Sequence, residues 1–162
     1  MAIGTGDTIP DATLIRSGPD GPEEVRLSEH TNGHKVVIFG LPGAFTGTCT
    51  TAHMPSFIRT REQFGEKGID EVICIAVNDP FVLKAWDDAT GASKGGITIL
   101  GDATGEFTRA MGMEFSAPSR GLVNRSKRYA MVVDDGKIVT LHEEEGPGVC
   151  EVSGGEALLA TL

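Results

Sequence analysis

Residues 35–57 read KVVIFGLPGAFTGTCTTAHMPSF. The first six, KVVIFG, are an unbroken β-branched and aromatic run, the pattern of a strand covered on both faces. LPGAFTG is loop by composition, and the residues that follow are spaced as a helix with Phe57, Ile58 and Phe64 as its core positions. Strand, loop and helix in this order place Cys49 in the first helical turn, beyond the carboxyl end of a strand. Unpaired backbone N–H groups and the positive end of the helix dipole favour a thiolate over a thiol at such a place. Pro42 stiffens the approach loop. Pro55 lies inside the helix and cannot donate to the Thr51 carbonyl, so a kink is expected near it. That break would confine local unwinding to the turn bearing Cys49.

The flanking sequence alternates strands and helices. ATLIR (12–16) and EEVRLSEH (23–30), separated by the turn-forming SGPDGP, read as edge strands followed by a turn capped by Ser28. EVICIAVND (71–79) is a second buried strand, after which Asn78 or Asp79 caps the helix PFVLKAWDDAT, with Pro80 at its first position. GITILGD (96–102) is a third strand, followed by the helix TGEFTRAMG. In KRYAMVVDDGKIVTLHEEE (127–145), Asp135-Gly136 between two apolar runs marks a hairpin turn. SGGEALLATL closes the chain as a helix starting at Ser153, with Glu156 completing a capping box. Helices between strands that must run parallel, then a hairpin and a closing helix, give a three-layer α/β sandwich with a mixed central sheet in one domain, 1–162. Ligands in such sheets sit beyond the carboxyl ends of the strands, where Cys49 stands.

Composition narrows the function. The chain has 162 residues, 40% of them hydrophobic, enough for one domain with a real core. Its net charge of −9 disfavours nucleic acid and anionic membranes as partners. The start, MAIGTGDTIPDATL, shows neither a cationic leader nor a spanning apolar run, which places the chain in the cytoplasm. Three cysteines, at 49, 74 and 150, make neither a C-x-x-C nor a zinc knuckle, and the odd number argues against a static disulfide framework. A dithiol oxidoreductase would need C-x-x-C, whereas Cys49 is followed by Thr-Thr-Ala. A cysteine hydrolase would need a positioned histidine base, and among His30, His34, His53 and His142 only His53 is near in sequence.

Pro42, Thr46 and Cys49 satisfy P-x-x-x-T-x-x-C, and with VNDPFVLKAW, GDTIPDATL, KRYAMVVDDG and EVSGGEALLATL the chain resembles the type II, or peroxiredoxin-five, subfamily of peroxiredoxins nearly end to end. The resemblance implies a thioredoxin-like fold. It also implies reduction of hydrogen peroxide and organic hydroperoxides through a cysteine sulfenic acid. On it, Cys49 is the peroxidatic cysteine, Thr46 places its hydroxyl between thiolate and substrate, and Pro42 shields the site from water. The family's active-site arginine corresponds to Arg128, just before Tyr129, and backbone N–H groups around Thr48 and Cys49 would stabilise the leaving oxygen. A guanidinium beside the sulfur suits this chemistry, because it stays charged and binds oxygens whose negative charge grows as the bond breaks. The possible resolving cysteines are Cys150, in a Gly-rich loop and preferred here, and Cys74. The reductant is glutaredoxin with glutathione, or thioredoxin, and the expected assembly is a homodimer joined by loops around the active site. No metal or organic cofactor is implied, since sulfur itself carries the two electrons. Relatives commonly have Pro where this chain has Gly47, which loosens the turn before the nucleophile.

Plainer roles compete with each assignment. Cys74, inside EVICIAV, reads first as a small buried hydrophobe. His53, four residues after Cys49, either tunes the thiolate or packs between elements. Arg125 and Lys127 read as surface charges, Trp86 as core or interface, and Glu143 to Glu145 as solvated surface. A non-enzymatic redox-sensing or chaperone-like protein of the same fold is the alternative function, and it would show no turnover of peroxide.

Overall fold

The structure, a computed structural model, describes residues 3–146 and 148–162. Met1 and Ala2, which open the stretch read as lacking a leader, and Pro147, in the loop before Cys150, lie outside the described residues. Strand β3 (Lys35–Leu41) lies within a seven-stranded mixed sheet of order β2-β1-β5-β4-β3-β8-β9. β4 (Glu71–Ala76) and β5 (Ile97–Gly101) run parallel to it in succession. β8 (Tyr129–Asp134) pairs antiparallel on its other side and carries β9 (Lys137–Glu143) at the edge. On the far flank, the hairpin of β1 (Thr13–Gly18) and β2 (Gly21–Arg26) joins β5 through the pair Ile15–Gly101.

Period-two alternation in β3 divides the core. Val37, Phe39 and Leu41 face Phe57 and Phe64 of α2 (Met54–Glu66), Leu83 and Trp86 of α3 (Pro80–Thr90), and Leu158 of α5 (Gly155–Leu159). Val36 and Ile38 face the other way, toward Leu27 of α1 (Leu27–Thr31) and Phe107 of α4 (Glu106–Ala110). Each large side chain so removed from water contributes about 2 kcal/mol. The three layers and the mixed sheet read from the sequence are therefore present. Phe57 and Phe64 are buried core as expected, and Ile58 packs on the cluster from its partly buried rim.

The Asp135-Gly136 turn forms with φ of 48° and 81°, the two positive values that a tight hairpin of this twist requires. Asp79, rather than Asn78, caps α3 by accepting from the Val82 N–H. Two expected caps are absent. Ser28 lies within α1, where its own N–H donates to Asp11 Oδ1. Ser153 and Glu156 make no capping box: the N-cap of α5 is Gly154, Ser153 Oγ donates to Glu144, and Glu156 pairs with Arg59. The break expected near Pro55 falls one turn earlier, as a π-helical segment from Cys49 to His53, and Pro55 sits in the first turn of α2 where its missing N–H costs little. A second small sheet, β6 (Glu114–Ala117) with β7 (Leu122–Ser126), is added to the expected elements. It spans a segment broken by Pro118 and Gly121, and it delivers the chain to Arg128.

Candidate active site

The loop leaving β3 is shaped by its own hydrogen bonds. Thr46 Oγ1 donates to the Gly43 carbonyl (2.8 Å), and the Ala44 N–H donates to Asn78 Oδ1 (3.0 Å), tying the loop to the end of β4. Arg125 Nη1 donates to the Pro42 carbonyl (3.1 Å). This corrects the reading of Arg125 as a surface charge: a Cβ at Gly43 would collide with its guanidinium, so the glycine makes room for the arginine. Phe45 takes a left-handed φ of 61° and turns its ring outward, leaving the buried side of the loop to Pro42 and Ala44.

The π segment then carries Cys49 inward, fully buried. Its i→i−5 register is visible where the Met54 N–H donates to the Cys49 carbonyl. Side chains tie it down around the rim: Thr51 Oγ1 to the Gly47 carbonyl (2.9 Å), Thr48 Oγ1 to the Gly148 carbonyl (3.1 Å), and Trp86 Nε1 to Thr50 Oγ1 (3.0 Å). Trp86 is wholly buried core.

Arg128 reaches this sulfur from the opposite strand. Gly40 of β3 pairs with Tyr129, and a Cβ at Gly40 would collide with the Tyr129 ring, so the bare backbone lets β8 close in and bring the preceding residue to the site. Arg128 Nη2 donates to Cys49 Sγ (3.2 Å), and Arg128 Nη1 bonds to His53 Nδ1 (3.0 Å). The other ring nitrogen, Nε2, lies 3.0 Å from the Ser153 carbonyl, which can only accept. His53 therefore carries its proton on Nε2 and offers Nδ1 to the guanidinium. Burial, reinforced by the Arg128 charge and partly offset by the Ser153 bond, depresses His53 from the ordinary 6.5 to about 3, so the ring is neutral at physiological pH.

A cavity of about 350 Å³ opens beside this cluster, lined in part by Pro42, Thr46, Thr48, Arg120, Leu122 and Arg128. Of the residues singled out in the sequence, the structure thus brings Arg128 into direct contact with both Cys49 and His53, with Pro42 and Thr46 on the cavity wall. Cys74 is locked in mid-strand between Phe39 and Ile99, and burial, then the proximity of Cys49, pushes its thiol well up. Cys150 is half-buried in the loop after β9, with Sγ 4.0 Å from Ser153 Oγ, and burial raises its thiol too.

Glu144 was missed. Instead of joining a solvated acidic run it is buried, and one oxygen, Oε2, accepts from the N–H groups of Glu151 (2.8 Å), Val152 (2.9 Å) and Ser153 (2.7 Å) and from Ser153 Oγ (2.7 Å). Burial alone would raise this carboxyl; the Ser153 hydroxyl and the three N–H groups outweigh it and hold it below the usual range. Three of its four donors are main-chain, so no side-chain pattern announces the site.

Residues 4–159 match the protein-family model described as Redoxin. Peroxiredoxin-2C of Oryza sativa subsp. japonica is 40% identical over 161 residues, covering 99% of this chain and 98% of that protein. The chloroplastic peroxiredoxin-2E-2 of the same organism is 42% identical over 164 residues, covering 99% of this chain and 72% of that protein. Among solved structures, reduced Prx3 of Vibrio vulnificus in complex with H2O2 matches with a TM-score of 0.90 at 41% identity, covering 98% of both chains. Among the described residues no helix is long and apolar enough to cross a membrane.

Proposed function

The chain belongs to the Redoxin family as a type II peroxiredoxin, a thiol peroxidase, and on that premise we propose that Cys49 is its peroxidatic cysteine. The observation that carries the assignment is the 3.2 Å bond from Arg128 Nη2 to Cys49 Sγ, at a sulfur otherwise sealed from solvent. A guanidinium donating to sulfur bonds more strongly to a thiolate than to a thiol, and the thiolate is the nucleophile. The thiolate attacks one oxygen of a hydroperoxide: an S–O bond forms, the O–O bond breaks, sulfur loses two electrons, and the departing oxygen takes a proton to leave as water or an alcohol. Arg128 lines the cavity as well as touching sulfur, so its donors meet charge that moves from sulfur to oxygen. Thr46 spends its proton on the Gly43 carbonyl, which leaves its hydroxyl oxygen free to accept from the peroxide O–H. Pro42 walls the cavity without presenting an N–H that would hold water there.

For the return half of the cycle we assign Cys150 as resolver. Its thiol attacks the Cys49 sulfenic acid, forming S–S and releasing water, after which glutaredoxin with glutathione, or thioredoxin, restores both thiols. A disulfide requires Cα atoms within roughly 7 Å, so the π segment or the Cys150 loop has to shift. A reducing compartment such as the cytoplasm suits a cycle that must end on free thiols. One domain carries all of these steps, and exposed Phe45, on the loop after β3, and Phe81, in the first turn of α3, are the proposed apolar contacts of a homodimer. The decisive assay is peroxide consumption with dithiothreitol or with glutathione plus glutaredoxin. Cys49→Ser is expected to abolish it; a variant as active as wild type would end the assignment.

A further inference from the structure

We infer that Glu144 is a positioning residue for both halves of the sulfur cycle, latching the segment that carries Cys150 while fixing the aim of Arg128 at Cys49. The inference rests on Cys150 as the resolver. Three successive N–H groups, of residues 151, 152 and 153, converge on the single oxygen Oε2. Such a nest commonly receives an outside anion. Here the chain fills it with its own carboxylate, immediately after the cysteine that has to move.

The same carboxylate is linked to the reacting sulfur by a continuous path. Ser153, held through its N–H and Oγ, offers its carbonyl to His53 Nε2; His53 Nδ1 accepts from Arg128 Nη1; and Arg128 Nη2 donates to Cys49 Sγ. Glu144 also touches the arginine directly, its N–H donating to the Arg128 carbonyl at 2.9 Å. Both ends of Arg128 are thereby referred to one residue. A buried carboxylate is a poor way merely to fill space, because an apolar side chain of similar volume stabilises as well without the desolvation cost. What it adds is direction: while the latch is closed the guanidinium is aimed and Cys150 is tethered. Opening it frees Cys150 to reach sulfur and relaxes the cation.

The latch therefore acts with opposite sign on the two steps. Trp86 is the only tryptophan and is bonded to Thr50, next to Cys49, so its fluorescence follows the reacting turn. In stopped-flow mixing of reduced protein with hydrogen peroxide, a peroxide-dependent phase reports sulfenic acid formation and a peroxide-independent phase reports the disulfide. Glu144→Gln keeps the shape and removes the charge; the first phase is expected to slow about tenfold and the second to quicken several-fold. Ser153→Ala, which deletes only the hydroxyl, should shift both rates the same ways by less, and it carries the test if Glu144→Gln does not fold. Both phases unchanged, or both slowed together, would overturn the inference, since loss of structure does not move two steps in opposite directions. If wild type forms no Cys49–Cys150 disulfide by mass spectrometry, the resolver assignment fails. The latching half of the inference falls with it, and an unchanged first phase in Glu144→Gln would then remove the aiming half as well.

Discussion

Mild acid is the perturbation that tests the buried cluster most directly. His53 is neutral first because it is wholly buried, and then because a second cation in its place would stand 3.0 Å from a guanidinium nitrogen and would replace an acceptor with a donor. The folded protein therefore resists protonation until the pH nears 3, whereas the ordinary value, taken for the unfolded chain, is 6.5. Between those values the unfolded chain binds one more proton than the folded one. The stability involved is fully present above 6.5 and is lost as pH falls, at a limiting slope of about 1.4 kcal/mol per pH unit. From about pH 7.5 to about pH 5.5 the loss integrates to about 1.4 kcal/mol. That interval lies above the range where Glu144 titrates. Glu144 has the same sign, its depressed carboxyl contributing stability above the usual carboxylate value that is lost as pH falls through its lower folded value. The assay is urea unfolding of the reduced protein at the two pH values, with His53→Gln beside wild type so that the contributions of His30, His34 and His142 cancel. Wild type should lose about 1.4 kcal/mol more than the variant. Equal losses, or a wild type that gains stability on acidification, would show that the histidine is not held neutral by burial and by Arg128.

Two further expectations concern the groups around the sulfur. Arg128→Lys keeps the charge but cannot reach Cys49 and His53 with separate nitrogens of a rigid fork, so kcat/KM for hydrogen peroxide should fall about tenfold to a hundredfold at unchanged secondary structure; an active variant would remove the fork geometry from the mechanism. Cys74→Ala should cost about 1 kcal/mol in urea unfolding by leaving a small void in the sheet, with peroxide turnover and its electron donors unaltered; loss of turnover would return Cys74 to the cycle.

How far the sequence led depends on where each interaction keeps its partners. KVVIFG announced β3 because burial on both faces leaves no polar position to interrupt the run, and Asp135-Gly136 announced the β8–β9 turn because few residue pairs accept positive φ twice. β6 and β7 were silent, since a two-stranded ribbon buries little and its Pro and Gly read as loop. Ser28 and Ser153 matched capping patterns, yet a pattern counts only local donors, and both residues were engaged by carboxylates distant in sequence, Asp11 and Glu144. Cys49, Thr46, Pro42 and Arg128 were placed by family resemblance and meet in one site. His53 was placed four residues along an α-helix. The π segment changes that register, and its contact with the sulfur runs through Arg128.

The distribution of bonds also decides which cysteine can move. Releasing Cys49 means opening the π segment, held by the Thr50 N–H to the Thr46 carbonyl, the Met54 N–H to the Cys49 carbonyl, and single side-chain bonds from Thr48, Thr51 and Trp86. These bonds, with the Arg128 bond to Sγ and the segment's own ladder, lie outside the strand pairings, so the turn opens without breaking the sheet. Pro55 then bounds the opening, because the helix beyond it keeps its own ladder and its packing on Phe39 through Phe57. Displacing Cys74 would break pairing to β3 and β5 at once and expose the core shared with α2, α3 and α5. Cys150, outside any strand, is tethered through its neighbours, by Thr48 at the Gly148 carbonyl, by Glu144 at the N–H groups of residues 151 to 153, and by His142 and His53 at the Val152 and Ser153 carbonyls, and none of these bonds is a strand pairing. This difference in tethering is what favours the proposed pairing of Cys49 with Cys150 over one with Cys74.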